Sequence, residues 1–321
     1  TTSVTPGAPG AANTADATGL RLGRPYYFAM RAIDRGGLPS PVVGTTTPLS
    51  IDLVRDTVTD VPVALGGDVS GGADVNGDSF ADVVVGSGST AGVWAGVARI
   101  YFGSATGLSA TRYTEFRGNT GNRFGATVAS LGDVNGDGLG DVAIGEPGPL
   151  AAASLGAGSV YVFFGRRTWN PATTPYVAAN ASVTIGGGTG EFATASLGFA
   201  LARVGDFNGD GLNDIAAAAP QSTSRGAVVV VFGRAMFPTT LAPSAANVII
   251  RNSSMETLFG RTLAGIGRVV GNDTREDLAV GYGSTAAPAS AAVFAGRVAA
   301  TPVALTLVDA ALNRPGVVTP A

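Results

Sequence analysis

Three stretches of this chain set carboxylates and amides at one spacing: Asp74-Val-Asn76-Gly-Asp78-Ser-Phe80-Ala-Asp82, Asp133-Val-Asn135-Gly-Asp137-Gly-Leu139-Gly-Asp141 and Asp206-Phe-Asn208-Gly-Asp210-Gly-Leu212-Asn-Asp214. Side-chain oxygens fall at positions 1, 3, 5 and 9 of each nine-residue stretch. That donor set suits a hard cation such as calcium, which takes six to eight oxygen ligands in a flexible shell. The intervening glycines allow positive φ without a Cβ clash, so a short turn can fold its acids inward. The chain has 23 acidic residues, and these loops hold nine of them. Its formal charge is −3, so the rest of the chain is basic. Carboxylates ~5 Å apart repel by roughly 3 kcal/mol per pair at an effective dielectric of about 20. A loop of this kind needs a cation. A solvated Asn-Gly or Asp-Gly hairpin turn would explain one copy. It does not explain three copies in one frame, each followed by an apolar strand. Calcium as a loop staple, about three ions in all, is the expectation, not catalysis.

The other side chains exclude several chemistries. The 321 residues contain no Cys, His or Lys and five Glu. Zero Cys removes disulfides, thiolate chemistry and sulfur ligation. Zero His removes the commonest general base and the preferred zinc ligand. All 20 cationic side chains are Arg, scattered along the chain, which gives no nucleic-acid footprint. No apolar run approaches the length of a membrane helix. Glu146 and Glu191 are acid–base candidates only by elimination. Arg166, Arg234 and Arg297 each follow the glycine that ends an apolar strand. Three guanidiniums in an arc would suit the carboxylates or sulfates of an acidic glycan. Pairing with a local acid, or solvation, is the plainer account. Trp169 would stack on a sugar or pack its own loop.

The elements that position these residues recur. In the second copy Phe124-Gly125 opens a strand over 126–132, the acidic loop follows, and Val142–Gly145 begins a second strand. A third strand runs over 158–164 and a fourth over 181–185. The other copies keep this frame, from Leu65-Gly66, Leu197-Gly198 and Phe259-Gly260. The loops begin 59 and 73 residues apart. Units of this size with four short strands are antiparallel propeller blades. With Gly 48 and Pro 18 and no helical apolar stripe, the class is all-β. Four units are expected at about 61–122, 123–190, 191–257 and 258–321, after a linker at 50–60. The fourth loop, Arg268 to Asp277, has an Arg at position 1 and an extra residue. It is expected to bind no calcium, with Arg268 offering its charge to Asp273 or Asp277.

The Phe-Gly steps, acidic loops and Gly-x-Pro turns make residues 61–321 resemble FG-GAP repeats, as in the integrin α-subunit head. The resemblance implies a β-propeller, usually seven-bladed, with calcium between the first two strands of a blade. It adds the backbone carbonyls of Phe80, Leu139 and Leu212 to the ligand set. Ser79 stands where the other loops have Gly138 and Gly211, which implies strain in the first loop. Residues 1–49 resemble the last two strands of a fibronectin type III sandwich, with Leu20 and Tyr26 placed as in its tyrosine corner and Leu22 replacing the usual Pro. Such propellers are similar to parts of large bacterial surface or secreted proteins. That implies an extracellular adhesion module whose partner is a protein, a glycan or further copies at a cell surface. The alternative is a carbohydrate-binding propeller attached to a polysaccharide-active enzyme. The visible units are fewer than seven, so the chain is expected to be a piece of a longer protein or to be completed by neighbours.

Overall fold

The computed structural model describes residues 67–88, 96–108, 111–118, 121–149, 156–171, 173–186, 188–223, 225–252, 259–271, 273–283 and 290–298, with the strand backbones at 29–30, 43–44, 303–306 and 312–314. The chain divides into two compact units, Thr1–Asp60 and Val61–Ala321. In the first, β1 (Ala29–Met30) pairs antiparallel with β2 (Val43–Gly44). Leu20, Leu22 and Tyr26 lie outside the described residues, as do Leu65-Gly66 and the 50–60 linker.

The second unit is a row of four sheets. Blade 1 holds β3 (Asp68–Ala73), β4 (Asp82–Ser87), β5 (Val97–Tyr101) and β6 (Tyr113–Arg117). Blade 2 holds β7 (Thr127–Gly132), β8 (Asp141–Glu146), β9 (Ser159–Phe163) and, after β10 (Tyr176–Val177), β11 (Val183–Gly186). Blade 3 holds β12 (Leu201–Gly205), β13 (Asp214–Ala219) and β14 (Ala227–Val231), then, after β15 (Thr240–Leu241), β16 (Val248–Arg251). Blade 4 holds β17 (Thr262–Gly265), β18 (Leu278–Tyr282) and β19 (Ser290–Phe294), then, after β20 (Val303–Thr306), β21 (Leu312–Arg314). Within each blade the four strands meander antiparallel. The short strands β10, β15 and β20 leave their own blade and pair in parallel with the outer strand of the preceding one, at β6, β11 and β16.

Both faces of the inner blades are covered, which is why every residue of β8 and β13 is buried and, apart from the acids at their ends, these strands are apolar without alternation. The core lies in the seams. Phe116, Phe124 and Phe163 fill the seam between blades 1 and 2, Val162, Leu197 and Val229 the next, and Phe207, Phe259 and Phe294 the third. The Phe124-Gly125, Leu197-Gly198 and Phe259-Gly260 steps each sit against the third strand of the preceding blade. A Cβ on Gly125 would stand 2.5 Å from the Val97 carbonyl oxygen, and one on Gly198 would stand 2.7 Å from that of Ser159. Only glycine permits that approach, at φ 77 and 85. Helix is confined, among the described residues, to three 3-10 turns: Ala178–Asn180, Gly190–Phe192 and Pro243–Ala245. Among those residues no helix is long and apolar enough to cross a membrane.

Candidate metal loops

The three acidic loops join β3 to β4, β7 to β8 and β12 to β13, the first two strands of their blades. Their internal hydrogen bonds repeat. At position 1, one carboxylate oxygen of Asp74, Asp133 and Asp206 accepts the position-4 N–H of Gly77, Gly136 and Gly209, at 2.6 Å each. The other accepts the position-6 N–H of Ser79, Gly138 and Gly211 at 2.7, 2.8 and 2.9 Å. At position 3, Oδ1 of Asn76, Asn135 and Asn208 accepts the N–H of Asp78, Asp137 and Asp210, at 2.9 Å each. The amide nitrogen of each Asn donates back to the same Asp carboxylate. Ser79 is held at φ 71, in the left-handed region that Gly138 and Gly211 occupy at φ 83 and 91. A side chain there costs about 1–2 kcal/mol that glycine avoids.

Position 9 has a different setting. Asp82, Asp141 and Asp214 are buried. One carboxylate oxygen of each accepts the position-2 N–H of Val75, Val134 or Phe207, at 2.8 Å. The other accepts the N–H of the glycine after the third strand, Gly103, Gly165 or Gly233, also at 2.8 Å. Burial pushes the Asp141 and Asp214 carboxyls up to about 7 against the opposing pull of those N–H groups, and the neighbouring loop carboxylates push the same way. Asp82 is raised for the same reason.

The donor set fits a calcium ion. Among the described residues no ion pair neutralises the nine loop carboxylates. As placed, the acids turn to backbone N–H groups, and no three acidic side chains enclose a common point among the described residues. An ionised carboxylate oxygen offers about two acceptor directions, so the Oδ2 atoms of Asp74, Asp133 and Asp206, each with one N–H bond, leave room for a cation.

The fourth loop departs from expectation in one respect. Asp273 pairs with Arg275, not Arg268, at 2.5 Å, and this pairing holds its carboxyl below the usual range. Two residues of spacing bring that guanidinium to the carboxylate locally. Asp277 has no exposure and keeps the position-9 role, accepting the N–H groups of Val269 and Val270 at 2.7 Å and of Gly296 at 3.0 Å. Asp273, at the place of the position-5 acids, thus pairs with the Arg275 guanidinium at position 7.

Successive loops also bond to each other, a feature the sequence reading missed. The position-1 carbonyls of Asp74, Asp133 and Asp206 accept the N–H of Gly140, Asn213 and Glu276 in the following loop at 2.7, 3.0 and 2.9 Å. The position-2 carbonyls of Val75, Val134 and Phe207 accept the N–H of Arg166, Arg234 and Arg297 of the following blade at 2.9, 2.8 and 2.7 Å. Position 7 takes part through its side chain. Leu139, Leu212 and Arg275 lie over Gly77, Gly136 and Gly209 of the preceding loop, where an added Cβ would stand 2.9, 3.3 and 3.2 Å from them. The side chain of Phe80, at position 7 of the first loop, is exposed. The recurring apolar residue at position 7 is the signal that pointed to this packing.

The other candidates are engaged within the fold. The guanidinium nitrogens Nε of Arg166, Arg234 and Arg297 donate to the carbonyls of Phe164, Phe232 and Ala295. Arg166 lies over the Trp169 and Tyr176 rings, with its guanidinium carbon 4.8 and 5.2 Å from the centroids, and Arg234 lies over Phe237 at 5.3 Å. Arg234 also donates to Asn247 Oδ1 at 2.7 Å. Trp169 packs into the first seam, and its indole N–H donates to the Val75 carbonyl at 3.1 Å. Their positions are equivalent, as expected, but each guanidinium folds back on its own blade. Glu191 is paired with Arg251. Glu146 is 5% exposed, and burial raises its carboxyl above the ordinary range against hydrogen bonds from Asn122 and Tyr161. Its Oε2 has no hydrogen-bond partner.

The FG-GAP repeat family matches residues 124–163 and 199–231, which hold the second and third loops with their flanking strands. Integrin alpha-PS5 of Drosophila melanogaster is 30% identical over 202 residues, covering 57% of this chain and 18% of that protein. Integrin alpha-4 of Xenopus laevis is 32% identical over 157 residues, covering 47% and 14%. Phosphatidylinositol-glycan-specific phospholipase D of Rattus norvegicus is 31% identical over 171 residues, covering 50% and 19%. The chain therefore spans less than a fifth of the length of these relatives. The first matched segment begins at Phe124-Gly125, both hold an acidic loop and the strands around it, and the chain carries FG-GAP repeats.

Proposed function

We propose that this chain supplies an extracellular, calcium-stabilised adhesion module of a larger bacterial surface or secreted protein. The observation that carries the proposal is the common pattern of the three loops: the same acids, at the same positions, in the same backbone frame, without a cationic partner among the described residues. Asp74, Asn76, Asp78, Asp82 and the Phe80 carbonyl would hold the first ion. Asp133, Asn135, Asp137, Asp141 and the Leu139 carbonyl would hold the second, and Asp206, Asn208, Asp210, Asp214 and the Leu212 carbonyl the third. A bound calcium supplies positive charge and a rigid oxygen shell. The position-9 acids anchor each loop to the third strand, and the glycines set its curvature. Loops of this kind fill where calcium is plentiful, outside the cell. Similarity to integrin α-subunits favours adhesion over catalysis, and a protein or glycan at a cell surface is the partner proposed. Calorimetry with calcium tests the metal reading. We expect about three ions per chain and the loss of one with each of Asp78→Ala, Asp137→Ala and Asp210→Ala; no binding by the folded chain would refute it.

A further inference from the structure

We infer that each calcium loop clamps the seam to the following blade, so that an ion bound in one blade protects backbone bonds donated by the next. The inference rests on the calcium reading above and assigns the ion a direction of action. Three contacts recur at every seam, and all run the same way. A position-1 carbonyl and a position-2 carbonyl accept N–H groups from the following blade, and a position-4 glycine lies under the following position-7 side chain. The acceptors belong to the peptide units next to the position-1 carboxylate, one of the groups a cation would hold. Fixing that carboxylate fixes the tilt of both carbonyls. Releasing it lets the repelling acids turn both carbonyls away.

At the last of these seams the donor blade lacks the acidic set. Its loop carries the Asp273–Arg275 pair instead of the acidic set, yet Glu276 and Arg297 still donate to Asp206 and Phe207 at 2.9 and 2.7 Å. The donor side therefore works without an acidic loop of its own.

Backbone hydrogen exchange of the full chain, with calcium and with chelator, tests this for Asp137→Ala. That residue bonds only within its own loop. In calcium, the substitution is expected to speed exchange at Asn213 and Arg234, one blade onward, on the order of tenfold. Gly140 and Arg166, in the substituted blade, should stay protected because the first loop still holds its ion. Asp210→Ala should expose Glu276 and Arg297 in the same way. If Asp137→Ala fails to fold, Asp137→Asn and the wild-type comparison with and without calcium read the same amides. Three ions found by calorimetry, with faster exchange confined to the substituted loop or spread equally over all seams, would overturn the inference and leave the calcium reading standing. No ions and no calcium-dependent exchange would overturn both.

Discussion

At the scale of the residue, the four position-9 acids matter most because they anchor the loop whether or not the other acids are present. Asp82, Asp141, Asp214 and Asp277 join the start of their loop to the end of the third strand in all four blades, including the one without the other acids. Asp277→Ala would orphan the N–H groups of Val269, Val270 and Gly296. It is expected to destabilise the fold by about 3 kcal/mol with or without calcium, as measured by denaturant unfolding. Glu146 has the opposite character. Burial raises its carboxyl in the folded state, so folding favours the protonated form, and that contribution is lost as pH rises from the ordinary carboxylate range through the raised one. Glu146→Gln is therefore expected to be more stable than the wild type at neutral pH, with the difference vanishing at acid pH in paired melts. The loop acids were legible in the sequence because their spacing repeats. The added anchoring role of the position-9 acids was not, since Asp141 and Asp137 look alike until the N–H of Gly165 is seen on Asp141.

At the scale of the element, the glycine after the third strand, Gly165, Gly233 or Gly296, is a tight point between its blade and the preceding one. A Cβ on Gly233 would stand 2.5 Å from the Asn213 carbonyl oxygen, 2.7 Å from Leu212 Cβ and 2.9 Å from the Val134 carbonyl oxygen. Two of these atoms are backbone and cannot step aside. Gly233→Ala is expected to cost about 2 kcal/mol or more, read as a lower unfolding midpoint. The strands themselves were legible: the reading placed the second unit at 126–132, 158–164 and 181–185, and the structure has Thr127–Gly132, Ser159–Phe163 and Val183–Gly186. The parallel strands β10, β15 and β20 were not. They span two to four residues, too few to show a period, and they pair outside their own unit. The arc of Arg166, Arg234 and Arg297 was legible in position but not in contacts, because the aromatic and carbonyl partners that turn them inward come from their connecting loops.

At the scale of the whole molecule, four blades share their cores only with their neighbours, as in a repeat array whose stability is the sum of units and seams. On the proposed reading, calcium held in the loops would add to the stability of the row as a whole. At a free concentration about 100-fold above the dissociation constant, each site contributes roughly 2.7 kcal/mol. The central claim is tested most directly by a thermal melt of the full chain in calcium and in chelator. The account predicts a fall in melting temperature on the order of 10 °C in chelator, restored by calcium and not by magnesium. A melt that chelator leaves unchanged would contradict it.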